Sequence, residues 1–110
     1  MQFRIGNLFR RLHSPPAESE SSESIVDSSR VRIARIESNA FSSPDGFWYD
    51  QPDDEWVAVI AGDAAVAFDD GTMHPMQPGD WIIIPAHRRH RIVRTDEKTI
   101  WLAVHISTNP

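Results

Sequence analysis

Turn-forming residues divide the chain from Ile25 onward into short segments, and this regular division restricts the fold more than any other feature. Gly tolerates positive φ, Pro presets φ for a turn, and Asp bonds to nearby backbone, so clusters of these residues favour tight turns. Many short segments at even spacing are typical of an all-β sandwich or barrel. The clearest turns are Ser43-Pro44-Asp45-Gly46, Gly62-Asp63, Asp69-Asp70-Gly71 and Gln77-Pro78-Gly79.

The segments between these turns predict eight strands, and the residues before them have a different composition. The strands are expected at 31–37, 47–51, 55–61, 64–68, 72–76, 81–84, 90–94 and 99–106. Residues 13–24 are rich in Pro, Ser and Glu and contain Ala17 as their only apolar residue, which is typical of a linker. The sequence therefore predicts one all-β domain at residues 25–110, preceded by an N-terminal arm and polar linker at residues 1–24.

Composition excludes several classes of function. The 110 residues include no cysteine, so disulfides, thiolate nucleophiles and Cys-based metal sites are excluded. A formal net charge of −5 argues against nucleic acid as a partner. The sequence contains no apolar run long enough for a signal peptide or a spanning helix, so we expect a soluble cytoplasmic protein without a membrane partner.

One stretch combines a predicted strand, a proline that ends it and two histidines. The apolar strand at 81–84 ends at Pro85, which cannot donate to a β-ladder, and the following loop delivers His87 and His90 to the end of the strand. Gly79, Pro85 and His90 have a spacing that resembles the second motif of the cupin family, G-x5-P-x-G-x2-H-x3-N. Glu55, separated by six residues from Gly62, resembles the end of the first cupin motif, H-x-H-x3,4-E-x6-G.

The resemblance covers residues 47–106 and implies a small single-domain cupin, which is a jelly-roll β-barrel. Cupins commonly hold a divalent metal ion through the two histidines and the glutamate of the first motif and the histidine of the second. Glu55 and His90 occupy two of these positions. The H-x-H positions fall on Tyr49 and Gln51, or on Trp48 and Asp50 if the loop is one residue longer, so the first motif is degenerate.

The resemblance implies a metal site built from the remaining donors. Gln51, Glu55 and His90 would form the set, with His87 and His105 as further donors. Such a mixed oxygen and nitrogen set suits Mn²⁺, Fe²⁺, Ni²⁺ or Zn²⁺. His87 stands where the family usually has glycine, so it can equally be a loop residue, and His105 can equally be a partly buried histidine without a ligand role. A polar pocket without metal is the alternative.

Two functions remain open at this point. The first is a metal-dependent enzyme acting on a small polar or anionic metabolite, with Glu55 as ligand or general base and Tyr49 exchanging a proton. The second is a non-catalytic module that binds a small ligand in the same pocket. The fold cannot decide between them, because one fold hosts many functions.

Strand alternation assigns faces to the residues around Glu55 and His90. If Glu55 points inward, Val57 and Val59 do too, and Trp56 is left on the outer face. A large apolar group on an outer face predicts a homodimer. The same alternation places Ile92 and Arg94 inward with His90. The cluster Arg88, Arg89, Arg91 and Arg94 predicts either a solvated strand face or a funnel for small anions.

Overall fold

The computed structural model describes residues 2–10 and 14–109; Met1 and residues 11–13 of the predicted arm lie outside this part. The described residues form eight β-strands and contain no helix that could cross a membrane. The prediction of an all-β chain is therefore confirmed. The strands are β1 (Ser19–Asp27), β2 (Val31–Asn39), β3 (Asp54–Ala61), β4 (Ala64–Phe68), β5 (Met73–Met76), β6 (Trp81–Ile84), β7 (His90–Thr95) and β8 (Thr99–Ile106).

The strands form two antiparallel sheets that pack on one another. One sheet has five strands in the order β1-β2-β8-β3-β6, and the other has three in the order β5-β4-β7. A hydrogen-bonded bridge between Tyr49 and His90 lies outside the regular strand pairs. The described strands do not close into the single barrel that the sequence predicted, since the two sheets remain separate.

Strand β1 corrects the prediction of a linker. It pairs with β2 from Ser19 opposite Asn39 to Asp27 opposite Arg32, so residues 19–24 are part of the larger sheet. The boundary predicted between residues 24 and 25 falls inside β1. A polar segment can form this strand because β2 supplies the backbone hydrogen bonds and the strand is at the sheet edge, where most of its side chains are exposed.

The other strand predictions differ little from the structure, with one exception. Seven predicted strands have observed counterparts whose ends agree within two residues. The predicted strand at 47–51 is wrong, since only Tyr49 pairs there, through its bridge to His90. The Tyr49 amide donates to the carbonyl of His90 at 2.7 Å, and the His90 amide donates back at 3.2 Å.

The core fills the space between the sheets. Val57 and Val59 of β3 point into it as predicted, and Trp101 and Ala103 show which face of β8 is buried. The smaller sheet contributes buried residues that include Val66. Because His105 shares the face of Trp101 and Ala103 along β8, this core packing also directs His105 inward.

A bulge in β7 corrects the prediction for Arg94. Ala65 of β4 pairs with Arg94, whereas Val66 pairs with Ile92, so Val93 is an extra residue. Ile92 packs against the core as predicted. Arg94 is instead exposed, and it donates to Asp63 at 2.6 Å.

Candidate functional site

A cavity of about 150 Å³ lies between the two sheets. Half of its lining residues are apolar and half are polar, so the cavity offers a ligand both apolar contact and hydrogen-bonding groups. The apolar residues are Ile36, Val57, Val66, Ile84, Ile92 and Trp101, and the polar residues are Glu20, Tyr49, Gln51, Glu55, His90 and His105.

Glu55 and His90 meet inside this cavity. Oε1 of Glu55 lies 3.8 Å from Nε2 of His90, and the two residues are 8% and 5% exposed. Glu55 is on β3 of the larger sheet and His90 begins β7 of the smaller one. The predicted approach of these two side chains across the interior is confirmed.

The surroundings of His90 determine which ring nitrogen carries the hydrogen. Its Nδ1 lies 2.9 Å from the carbonyl oxygen of Arg88. Because a carbonyl can only accept, Nδ1 must donate, and the neutral ring then has a lone pair on Nε2. That lone pair faces the Glu55 carboxylate across the 3.8 Å gap. Two acceptors facing each other attract a cation or a hydrogen-bond donor between them.

His105 extends the same group of side chains. It lies directly opposite Glu55 on the neighbouring strand β8, and its Nε2 is 3.5 Å from Oε2 of Glu55. Its Nδ1 is buried and has no hydrogen-bond partner within the described part of the chain. His105 therefore faces the pocket, and Glu55 has an imidazole near each of its oxygens.

Gln51 and Tyr49 occupy the positions where the resemblance implied histidines. The side-chain amide of Gln51 donates to Oε1 of Glu55 at 3.1 Å. The Tyr49 ring stacks on His90, with centroids 5.4 Å apart and planes at 25°. Burial raises the pKa of the Tyr49 hydroxyl, and the negative charges of Glu20 and Glu55 raise it further. A hydrogen bond with Ser43 opposes this shift in part. The Tyr49 hydroxyl therefore keeps its hydrogen at neutral pH and can donate a hydrogen bond.

His87 does not line the pocket, which corrects its prediction as a metal donor. Its side chain is 69% exposed, and its Nδ1 contacts Oδ1 of Asp50 at 2.7 Å. Its backbone φ is 62°, in the left-handed region that favours glycine. The usual glycine at this position is explained by that turn, and a histidine there is directed away from the cavity.

The arginines near the pocket do not form an anion funnel. Arg88 pairs with Asp70 at 2.9 Å, and Arg94 pairs with Asp63. Arg91 donates to the carbonyl of Ser43, and the Arg89 guanidinium lies over the Trp48 ring. None of the four lines the cavity. The predicted solvated strand face describes Arg94 alone, since Arg88 and Arg89 precede β7 and Arg91 is partly buried.

Glu20 is the pocket residue that sequence reasoning missed. It lies on β1, lines the cavity, and accepts a hydrogen bond from Oγ of Ser38 at 3.2 Å. Nε1 of the buried Trp101 donates to the same Ser38 oxygen at 3.1 Å. Residues 18–24 contain only Ser and Glu, so no apolar alternation marks which side chain faces inward. Only the pairing of β1 with β2 places Glu20 at the pocket.

Burial raises the pKa of Glu20, and the Ser38 hydrogen bond opposes this shift only in part. A carboxyl whose pKa is raised by folding favours the folded state when protonated and opposes it when ionised. We therefore expect Glu20→Gln to have a higher melting temperature than wild type near neutral pH. The difference should shrink as the pH falls below the carboxyl's ordinary pKa.

Differential scanning calorimetry of both proteins across this pH range measures the effect, with Glu23→Gln as control on the exposed part of β1. A gap in melting temperature that is constant with pH would contradict the expectation.

The donor set partly fits a divalent metal ion. Among residues 2–10 and 14–109, no group of three or more His, Cys, Asp or Glu side chains is arranged to hold one. The chemistry is nevertheless suitable, since Glu55, His90 and His105 supply one carboxylate and two imidazoles, and the backbone contact at Nδ1 of His90 is typical of a ligating histidine.

A family model described as a cupin domain matches residues 33–105, more than half of the chain. The chain belongs to the cupin family. No curated protein matches this cupin.

Solved structures agree with this assignment. A candidate mannose-6-phosphate isomerase from Ralstonia eutropha JMP134 has 43% identity and a TM-score of 0.87, over 96% of this chain and 99% of that one. A cupin superfamily protein from Desulfitobacterium hafniense DCB-2 has 21% identity and a TM-score of 0.74, over 87% and 84% of the two chains. The polyketide cyclase RemF from Streptomyces resistomycificus has 20% identity and a TM-score of 0.74, over 100% and 82%. The last two likenesses support the fold alone.

Proposed function

We propose that this cupin binds a small polar ligand in the cavity around Glu55, and that Glu55, His90 and His105 hold a divalent metal ion there. The observation that carries the proposal is the contact of His90 Nδ1 with the Arg88 carbonyl, which leaves the Nε2 lone pair directed at a buried carboxylate. A divalent cation would relieve the repulsion of these acceptors, and the nearby His105 would add a third donor.

The ion itself is Mn²⁺, Fe²⁺, Ni²⁺ or Zn²⁺ in this proposal, as the mixed donor set indicates. When bound, it would act as a Lewis acid that orients and polarises the ligand. Glu55, His90 and His105 would hold the ion, since Nε2 of His90 lies 3.8 Å from Oε1 of Glu55 and Nε2 of His105 lies 3.5 Å from Oε2.

The other pocket residues have roles in this proposal. Gln51 holds the Glu55 carboxylate through its amide. Tyr49, whose pKa is raised, offers its hydroxyl hydrogen to the ligand. If the pocket is catalytic, Glu55 would be the general base where it is not a ligand, and Tyr49 would exchange a proton with the substrate.

A metal-free binding module is the second candidate function. It is favoured by the arrangement of the described side chains, which bring no three His, Asp or Glu groups around a shared point. In that case a ligand N–H or O–H group occupies the space between Glu55 and His90.

Metal analysis separates the two candidates. We expect inductively coupled plasma mass spectrometry of the protein, purified without chelators or affinity metals, to find about one divalent ion per chain. Protein that stays metal-free after incubation with each of the four candidate ions would contradict the metal site and favour the second candidate.

We also propose that this cupin is a homodimer, and the outer face of the larger sheet supports the proposal. Trp81 and Ile83 of β6 are 59% and 58% exposed there. Trp56, on the neighbouring strand, is half-buried and its ring lies 6.4 Å from that of Trp81. An apolar surface of this kind suits an isologous contact, in which both subunits use the same residues.

Trp81→Ala should weaken that dimer. Loss of a central interface tryptophan costs about 2 kcal/mol or more, which corresponds to roughly a 30-fold higher dissociation constant. Sedimentation velocity at micromolar concentration measures it. Met73→Ala is the matched control, because Met73 is 58% exposed but lies on the smaller sheet. A monomeric wild type, or an equal effect of both variants, would contradict the proposed interface.

A further inference from the structure

The N-terminal arm presents apolar side chains to solvent. Phe3, Ile5 and Phe9 are 88%, 91% and 60% exposed, which makes them the most exposed large apolar residues in the described part of the chain. The segment from residue 2 to residue 10 belongs to no strand or helix. Exposed apolar groups that cluster in this way commonly mark a contact with another protein.

Two hydrogen bonds hold the arm on the outer face of the larger sheet. Arg4 donates to the carbonyl of Ile25 in β1 at 2.7 Å, and Nε of Arg35 in β2 donates to the carbonyl of Leu8 at 2.5 Å. Arg35 is buried, and its neighbour Ile36 lines the cavity, so strand alternation directs Arg35 to the outer face. The arm therefore has a fixed place on β1 and β2, while its apolar side chains stay exposed.

Two rows of paired residues cross the outer face of this sheet, from β1 to β6. The first row is Glu23, Arg35, Leu102, Ala58 and Trp81, and the second is Val26, Ile33, Val104, Trp56 and Ile83. The arm lies at the β1 and β2 end of the rows, whereas Trp81 and Ile83 are exposed at the other end. With about 4.8 Å between strands, β1 and β6 are roughly 19 Å apart, so one face has two separate apolar areas.

Charge distinguishes the two ways in which this face can stack on its own copy. A twofold axis parallel to the strands places the arm of each subunit over β6 of the other, whereas an axis across the strands places arm over arm. Residues 1–10 include Arg4 and Arg10 and no acidic residue, so arm over arm brings like charges together. The parallel axis instead brings the arm toward Asp80, which is exposed and directly precedes Trp81.

We propose that the N-terminal arm of each subunit packs on β6 of a second copy, with Phe9 against Trp81 and Ile5 against Ile83. An axis parallel to the strands keeps each row over its own copy, and the two hydrogen bonds of the arm lie near different rows, which gives these pairs. The contact rests on the proposed homodimer, and it adds the segment that fills the interface and the direction of the twofold axis.

Cysteine cross-linking tests the pairing, because the natural sequence has no cysteine. The double variant Ile5→Cys/Ile83→Cys, treated with a short bismaleimide, is expected to run mainly as a covalent dimer on a denaturing gel. Ile5→Cys alone and Ile83→Cys alone should give no more covalent dimer than Met73→Cys, which is the control for random collision because Met73 is exposed on the smaller sheet. The two copies of Ile83 would be separated by roughly 19 Å across the strands in the proposed dimer.

Sedimentation velocity supplies the second measurement. Phe9→Ala removes an exposed side chain and should raise the dissociation constant of the dimer at least about tenfold. Efficient cross-linking of Ile83→Cys alone would place β6 over β6 and overturn the arm contact while leaving a dimer. A dimeric wild type whose double variant cross-links no better than Met73→Cys, or whose dissociation constant is unchanged in Phe9→Ala, would also overturn it. A monomeric wild type would contradict the homodimer itself.

Discussion

Gly62→Ala is expected to lower the free energy of unfolding by about 3 kcal/mol or more. Gly62 has a φ of +82°, where an L side chain costs roughly 1 to 2 kcal/mol. A Cβ at this position would also lie 2.6 Å from Cα of Thr99 and 2.8 Å from the carbonyl of Lys98. Both atoms belong to backbone that cannot move without disturbing β8, so overpacking adds a comparable cost.

Urea unfolding followed by tryptophan fluorescence measures this loss. Gly71→Ala is the matched control, because Gly71 has a φ of +91° but no atom within 4 Å of the added Cβ. It should lose only the roughly 1 to 2 kcal/mol that the backbone conformation costs. Equal destabilisation of the two variants would show that the contact with Thr99 contributes nothing.

His90→Ala is expected to reduce divalent metal affinity at least about 100-fold. Loss of a residue that only supports a metal ligand costs about 10- to 100-fold in affinity, and loss of the ligand itself should cost at least as much. His90 is the histidine whose lone pair the structure directs at Glu55, and its removal leaves one imidazole beside the carboxylate. Metal titration by calorimetry, with stoichiometry from mass spectrometry, provides the measurement.

His74→Ala is the control for that variant, since His74 is exposed and does not line the cavity. It should bind the ion as wild type does. Near-UV circular dichroism tests whether His90→Ala still folds, because the His90 ring packs against Tyr49. A folded His90→Ala protein with wild-type metal affinity would show that the ion, if bound, is held elsewhere.

Most of the strands could be predicted because their signals are local. Gly and Pro mark the turns, and apolar alternation marks the segments between them, so β2 to β8 were found from sequence. The spacing of Glu55 and Gly62, and of Gly79, Pro85 and His90, resembles the two cupin motifs, and this resemblance implied that Glu55 and His90 approach each other.

Other features were decided only by tertiary contacts. β1 has no apolar pattern, and its pairing with β2 is what brings Glu20 to the cavity. The bulge at Val93 turns Arg94 outward, and the positive φ of His87 directs that side chain to solvent. His105 could have faced either way until the core packing of Trp101 and Ala103 decided it.

The sequence by itself therefore determined the all-β class and the two motif residues of the site, since these depend on residue types at short, regular spacing. The tertiary structure alone decided that Glu20 joins the cavity, that His105 faces it and that His87 does not. That choice depends on which strands pair, where a bulge reverses the alternation of side chains, and which face of a strand the core buries, and each of these is set by residues distant in the chain.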